Sequence, residues 1–404
     1  MKPRLLIIVI AYMGYIFLGL PDAALGVVWP SLREGYMLPQ SGLGLILIAV
    51  GLGYFTINLS LGSLVERLGV GRLLTLATLF MACGLMGYAL SGSWFFFLAC
   101  AVVAGMGAGT LDGSLNLYAA ESFSGRQMNW LHACYGLGAT LGPLLITAVL
   151  QQTGSWRWGY GLISIGTLGM TAVFFFTRRY WAISPPTIAV DMQTPALSLP
   201  TASPQIEPAT PPPQPLTTRR ALADPLIRLQ IGLFFLYTGL EATAGQWSFT
   251  LLTEGRGVDV AQAGIWVSAY WAFLTIGRIA FGVLVDWIPM TRLVRLSMIT
   301  AVFGAILLAS GGGPIFSLAG LALLGFSLAP IFPCLMKQTP ERLGKRLATY
   351  AIGFQVSAAM LGAIIIPGLT GLLVQWYTLE LIGIVLITVA LLLFLLHESI
   401  VRSA

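Results

Sequence analysis

Charge is scarce in this sequence. Asp, Glu, Lys and Arg make up only 9% of the 404 residues, against about a quarter in soluble domains, and the mean hydropathy is +0.86. So few charges cannot cover the surface of a soluble protein, which excludes an ordinary soluble enzyme or a nucleic-acid-binding domain. Apolar stretches of about 20 residues recur instead, and these predict transmembrane helices.

Residues that carry catalysis or hold cofactors are few as well. The chain has two histidines and four cysteines, and none is grouped with others at metal-ligand spacing. No P-loop, zinc-protease or serine-hydrolase motif occurs. We therefore expect a protein that is not an enzyme, with no metal and no cofactor, and that does not use ATP directly.

Twelve apolar stretches predict twelve helices, called spans 1 to 12. Their expected bounds are 5–30, 42–64, 72–91, 94–120, 129–151, 157–177, 226–252, 261–286, 293–311, 315–336, 347–374 and 377–397. A stretch rich in Pro, Ser and Thr between spans 6 and 7 is typical of a flexible linker. The predicted domains are an N-terminal six-helix bundle (1–178), a cytoplasmic linker (179–224) and a C-terminal six-helix bundle (225–404).

The basic residues predict the orientation. With both termini in the cytoplasm, 18 of the 21 Lys and Arg residues fall on the cytoplasmic side, and only Arg33, Arg157 and Arg256 fall on the other. This asymmetry is the positive-inside pattern, and it predicts a multi-pass protein of the inner (plasma) membrane. It also explains the net charge of +6 without any nucleic-acid partner.

The two halves of the sequence repeat at a constant offset of 220 residues. The offset aligns Gly105 with Gly325 and Gly142 with Gly362. Further aligned pairs are Gly19 with Gly239, Gly62 with Gly282, Arg72 with Arg292, Glu121 with Glu341, Arg126 with Arg346, and Ala139 with Ala359. One register across five spans predicts two similar six-helix halves in parallel orientation. Transporters use this architecture and bind solute between the halves.

A charged loop gives the chain a family resemblance. The segment from Gly62 to Arg72 resembles the loop signature of the major facilitator superfamily, and the segment from Gly282 to Arg292 resembles its second copy. The resemblance implies an all-α integral membrane fold of twelve helices in two parallel six-helix pseudo-repeats. It also implies a cytoplasmic gate motif of Gly62, Glu66, Arg67, Arg72, Gly282, Asp286 and Arg292, whose acids and bases form a latch. Glu66 stands where the family usually has Asp.

The polar residues inside the spans form the candidate site. An ionisable group within a bilayer is costly and is a functional hypothesis by default. In the superfamily, spans 1, 2, 4, 5, 7, 8, 10 and 11 line a central cavity, and the polar groups fall on those spans. The proton-coupling candidates are Asp112, Glu241, His132 and Asp22. The solute-binding candidates are Asn116, Asn129, His132, Gln246, Trp247, Tyr270, Gln355 and Asn58.

Several positional expectations accompany these candidates. Asp112 and Asn116 are spaced i,i+4 and share a helix face near mid-membrane. Asp22 lies closer to the outer mouth. Gly239, Gly245 and neighbouring polar residues predict a flexible or broken helix around Glu241. Arg278 is interpreted as structural, near the cytoplasmic end of span 8. Each candidate also has a structural alternative, because a buried acid, a lone histidine or a tryptophan often serves packing alone.

Spans 4 and 5 resemble the fucose–proton symporter branch of the superfamily. That branch has a Gly-rich lead, an acid in mid span 4, an Asn four residues later and an Asn at the start of span 5, which fall here on Asp112, Asn116 and Asn129. His132 stands where the branch places a polar sugar contact. The resemblance implies a monomer that carries a sugar-like solute with a proton by alternating access. The branch usually has Glu in span 4, and its span 1 Asp falls at Gly26.

Two other functions stay open. The stretch from Gly138 to Pro143 resembles part of the signature of drug–proton antiporters, so efflux of a drug or metabolite is the first alternative. However, Ala101 stands where that family has an Arg in span 4. The second alternative is a transporter-like sensor that moves no solute, although buried acids without a task would be costly.

Overall fold

The computed structural model describes residues 3–181, 218–284 and 287–403. In the first half, spans 1 to 6 are the helices Pro3–Gly35, Gly42–Leu68, Val70–Leu90, Trp94–Ser122, Gly125–Thr153 and Trp156–Thr177. Their ends carry ordinary stop and start signals. Ser124 caps span 5 in a capping box with Gln127, and Gly154 ends it in a left-handed conformation.

The second half repeats this pattern. Spans 7, 8, 9 and 12 are the helices Pro225–Thr250, Val260–Leu284, Met290–Ala309 and Leu381–Ser403, and Leu251–Gly255 adds a π-helical turn to span 7. Span 10 covers Pro314–Gly344 and span 11 covers Tyr350–Trp376, joined at Gly344, whose φ of 74° breaks the helix. Within the described residues, eleven spans are long and apolar enough to cross a membrane, and the 26-residue span 7 completes the predicted twelve.

The predicted linker falls mostly outside the described residues. At its start, Arg178–Tyr180 forms one 3-10 turn, and Trp181 is buried against Tyr118 and Phe174. At its end, the short helix Thr218–Ala223 precedes span 7.

The packing of the spans follows the internal repeat. In the first half span 1 packs on spans 5 and 6, span 2 on span 4, and span 3 on spans 4 and 6; the second half shows the same contacts six spans later. Equivalent residues make equivalent contacts. A Cβ on Gly105 would lie 2.1 Å from the carbonyl oxygen of Val50, and one on Gly325 would lie 2.2 Å from that of Tyr270. Both pairs differ by 220, so the predicted parallel pseudo-repeat is confirmed.

The halves meet through spans 1 and 7, 2 and 11, and 5 and 8. We call the end formed by the loops between spans 1–2, 7–8 and 11–12 the opposite end, and the other the basic end, because most Lys and Arg residues lie there. At the opposite end, Arg33 of the first half donates to both carboxylate oxygens of Glu254 of the second, at 3.0 and 3.1 Å. Gln40 also donates to Glu254 and accepts from Trp29. This opposite-end latch joins the halves.

Reversing one charge in the latch should loosen the opposite end. In Arg33→Glu, two carboxylates face each other, and we expect faster amide hydrogen exchange at residues 36–44 in proteoliposomes, by up to about fivefold for one partly exposed pair. The double variant Arg33→Glu with Glu254→Arg should restore the wild-type rate. Arg256→Glu is the matched control, because Arg256 pairs with Glu380 of its own half; an equal effect there would refute the latch.

Candidate functional site

Asp112 lies in span 4 at the centre of a hydrogen-bonded cluster. Its Oδ1 accepts from the hydroxyl of Tyr15 at 2.9 Å and from Nδ2 of Asn116 at 2.9 Å. Its Oδ2 accepts from the hydroxyl of Tyr54 at 2.5 Å. The bond to Asn116 places both side chains on one helix face, as their spacing predicts. We call Asp112, Asn116, Tyr15 and Tyr54 the Asp112 cluster.

The Asp112 cluster contains an acid whose hydrogen-bond donors carry no charge. All three donors are neutral, and among the described residues Asp112 has no ion pair. His132 packs edge-on against Tyr15, with ring centroids 5.5 Å apart, and it lies within electrostatic range of Asp112 and Arg278. His132 is exposed. Asp112 and His132 thus form two neighbouring titratable groups joined by a tyrosine.

A second part of the site contains two acids, Asp22 from the first half and Glu241 from the second. Asp22 of span 1 accepts a hydrogen bond from Tyr135 of span 5. Glu241 of span 7 accepts one from Tyr237, and the two carboxylates lie within electrostatic range of each other. Asp22 is exposed although it lies in the middle of its span. Because spans 1 and 7 touch one turn nearer the opposite end, the space beside Asp22 opens toward the basic end.

Arg278 contacts this site, whereas its sequence interpretation is a structural residue near the cytoplasmic end of span 8. Asp286 lies outside the described residues, and the guanidinium of Arg278 lies 3.8 Å from Glu241 Oε1. It also interacts with Tyr237 and Tyr135. The position of Arg278 along span 8 predicts a residue near the membrane surface, but its long side chain places the guanidinium beside Glu241.

The solute-binding candidates separate into two groups. Asn116, Asn129 and His132 have solvent-accessible side chains on spans 4 and 5. Asn58 is part-buried against span 4 and donates to the backbone of Tyr54 in its own helix. All four of these candidates lie on helices of the first half.

The other four candidates are buried and form hydrogen bonds within the protein; they are Gln246, Trp247, Tyr270 and Gln355. The amide of Gln246 donates to the backbone of Asp22, Trp247 donates to Pro367, and Tyr270 donates to the backbone of Glu241. Gln355 is fully buried and donates to Gln230 and Thr339 inside the second half. It does not line the space between the halves, contrary to the sequence interpretation.

Span 7 is continuous around Glu241, so the predicted break is wrong. The helix runs unbroken from Pro225 to Thr250. The glycines serve close packing instead: a Cβ on Gly239 would lie 2.2 Å from Ile366, and one on Gly245 would lie 2.6 Å from Trp271.

Within the described residues the predicted gate latch has no ion pair, and Asp286, one of its acids, lies outside them. Glu66, Arg67 and Arg72 are exposed, and none of them has an ion pair within the described ranges. Gly62 and Gly282 have nothing near the position of a Cβ, and Arg292 is exposed. This agrees with an opening at the basic end.

Sequence reasoning missed the tyrosines. Tyr15, Tyr54, Tyr135 and Tyr237 each donate to a carboxylate of the site. Tyrosine in a membrane protein usually lies at the lipid–water interface, so these tyrosines were not counted among the site candidates. Their position in mid-span, away from both ends of the helix, was the available signal.

The family model for the major facilitator superfamily matches residues 11–359. The chain belongs to the major facilitator superfamily. This membership makes it a multi-pass membrane protein and a transporter of small solutes, with no enzyme activity implied by its relatives. Among curated proteins, the chain is 25% identical over 307 residues to the glucose/mannose transporter GlcP of Bacillus subtilis, covering 73% of this chain and 70% of that protein. An uncharacterized transporter of Sinorhizobium fredii, y4wD, is 30% identical over 156 residues, or 37% of this chain and 40% of that one.

Solved structures of this superfamily share the fold over the whole chain. A bacterial homologue of the human lysosomal transporter Spinster, in an inward-facing and occupied conformation, has a TM-score of 0.78 at 12% identity and covers 100% of this chain and 98% of its own. A mutant of the nucleoside transporter NupG has a TM-score of 0.74 at 12% identity, with coverage of 99% and 100%.

Proposed function

We propose that this protein is a proton-coupled symporter of a sugar or similar small polar solute, working by alternating access as a monomer in the plasma membrane. The observation that carries the proposal is the environment of Asp112. Three neutral donors hold its carboxyl group in the middle part of span 4, and within the described residues no basic side chain forms an ion pair with it. An acid paired with an arginine is held in its ionised form, and Asp112 is free of that constraint, so it is the group that carries the coupled proton in this proposal.

The internal repeat supports a task for this cluster beyond folding. The 220-residue offset carries Tyr15, Tyr54, Asp112 and Asn116 onto Phe235, Leu274, Phe332 and Met336. Phe332 packs edge-on against Phe234, so an apolar cluster fills the same place in the second half. The scaffold is therefore built without these polar groups. Their presence in one half alone needs a reason in the transport cycle.

A transport assay tests the proposal. In proteoliposomes with an imposed pH gradient, labelled glucose and mannose, the solutes in the name of the Bacillus subtilis relative, should accumulate above the external concentration. An ionophore that collapses the pH gradient should abolish accumulation and leave exchange of internal for external solute. If both sugars exchange but never accumulate, proton coupling is refuted. If neither sugar exchanges, glucose and mannose are excluded as solutes of this protein.

A further inference from the structure

Two carboxylates face each other where the halves meet. Gly26 follows Asp22 by four residues, and Gly245 follows Glu241 by four. A Cβ on Gly26 would lie 2.8 Å from the carbonyl oxygens of both Gly245 and Gln246, so spans 1 and 7 touch there. Because residues four apart share a helix face, Asp22 and Glu241 oppose each other one turn nearer the basic end.

The charges at this point do not balance. Glu241 has the nearby guanidinium of Arg278. Asp22 has the hydroxyl of Tyr135, and in the described part of the chain it forms no ion pair. The charged group in its range is Glu241, another acid. With both carboxylates ionised, the two acids and one guanidinium carry a net charge of −1.

The excess of negative charge favours a ligand that carries a positive charge. A protonated amine supplies one positive charge and up to three N–H donors, which match the free oxygens of Asp22. The rings of Tyr135 and Tyr237 add aromatic surface that favours a cation. A carboxylate or phosphate would meet repulsion from both walls. Asp22 is exposed and lies on the basic-end side of the contact at Gly26, so we infer that a solute reaches it from that side.

We propose that Asp22, with Glu241 across the seam, forms a subsite for a protonated amine, and that the solute is a small polar monocation such as an amino sugar. This inference rests on the proposed transport function and narrows its solute class. An amine between the two acids offsets their repulsion, so its binding favours the state in which the halves close around it. A ligand shifts such an equilibrium only by its differential affinity for the two states.

Calorimetric titration of the full-length protein in detergent at pH 7 tests the subsite. The probes are glucosamine, which carries the amine, and N-acetylglucosamine, which keeps the ring and replaces the amine by a neutral amide. We expect glucosamine to bind at least tenfold more tightly. Equal affinity, or tighter binding of N-acetylglucosamine, would overturn the subsite.

The variant Asp22→Asn separates charge from folding. It should weaken glucosamine at least tenfold and change N-acetylglucosamine by less than threefold, with an unchanged melting temperature. Asp259→Asn is the matched control, because Asp259 is exposed in a loop and caps span 8 through Ala261 and Gln262, a role that Asn also fills. An equal loss for both probes in Asp22→Asn would show that Asp22 holds the bundle rather than the amine.

The subsite and the symport proposal fail separately. Accumulation of glucose driven by a pH gradient, without any preference for glucosamine, would refute the subsite and leave symport. A preference for glucosamine that depends on Asp22, without any accumulation, would support the subsite and refute proton coupling.

Discussion

Asp112→Asn should abolish proton-driven accumulation while leaving exchange of solute across the membrane. A gradient of two pH units holds up to about a hundredfold concentration ratio when one proton moves with each solute, since every 1.4 kcal/mol is tenfold. The carboxamide has nearly the shape of the carboxyl group and can still accept from Tyr15 or Tyr54, but it cannot release a proton. We therefore expect the accumulation ratio in proteoliposomes to fall to about one.

Exchange is the internal control for this variant. Exchange of labelled for unlabelled solute needs the conformational change without net proton movement, so it should stay within about threefold of wild type. Asp259→Asn gives the same chemical change outside the spans and should keep full accumulation. An Asp112→Asn protein that still accumulates solute would remove Asp112 from proton coupling and leave the family and fold unaffected. Loss of exchange as well would point instead to a role in solute binding or in conformational change.

The helical scaffold could be predicted from the sequence because each helix depends mainly on its own run of residues. Runs of apolar residues set the spans, and the constant offset set the pairing of halves, which the matching contacts of Gly105 and Gly325 confirm. The i,i+4 spacing of Asp112 and Asn116 likewise fixes a shared helix face whatever surrounds it. Features of this kind depend on one helix or on a repeated register, and both can be counted along the chain.

The site was harder to predict because it depends on which residues meet across spans. Tyr135 and Gln355 are equivalent under the 220 offset, yet Tyr135 bonds Asp22 and Gln355 bonds Gln230. Asp22 aligns with Ala242, so the second half has no acid at the equivalent position. Gln355 donates to Gln230 instead. The reach of Arg278 toward Glu241 is a further case, because the sequence fixes its Cα and leaves the position of its charge open.

Gly26→Leu should slow transport by hindering closure of the opposite end. A Cβ on Gly26 would lie 2.8 to 2.9 Å from three backbone atoms of Gly245 and Gln246. Backbone cannot swing aside as a flexible side chain can, so spans 1 and 7 must separate. Overpacking of this kind costs about 1–3 kcal/mol, which is a shift of about five- to 150-fold toward states open at the opposite end. Exchange of labelled solute should fall by about five- to 150-fold.

The graded and matched variants make this result specific. Gly26→Ala adds only the Cβ and should have an intermediate effect. Gly169→Leu places the same side chain in span 6, where nothing lies near the position of a Cβ, and it should transport like wild type. In Gly26→Leu, hydrogen exchange at residues 36–44 should also rise, because separating spans 1 and 7 pulls Arg33 from Glu254. An alternating-access cycle needs both ends to close in turn. If Gly26→Leu exchanges solute at the wild-type rate and its amide hydrogen exchange is unchanged, the contact at Gly26 is not required for closure of the opposite end.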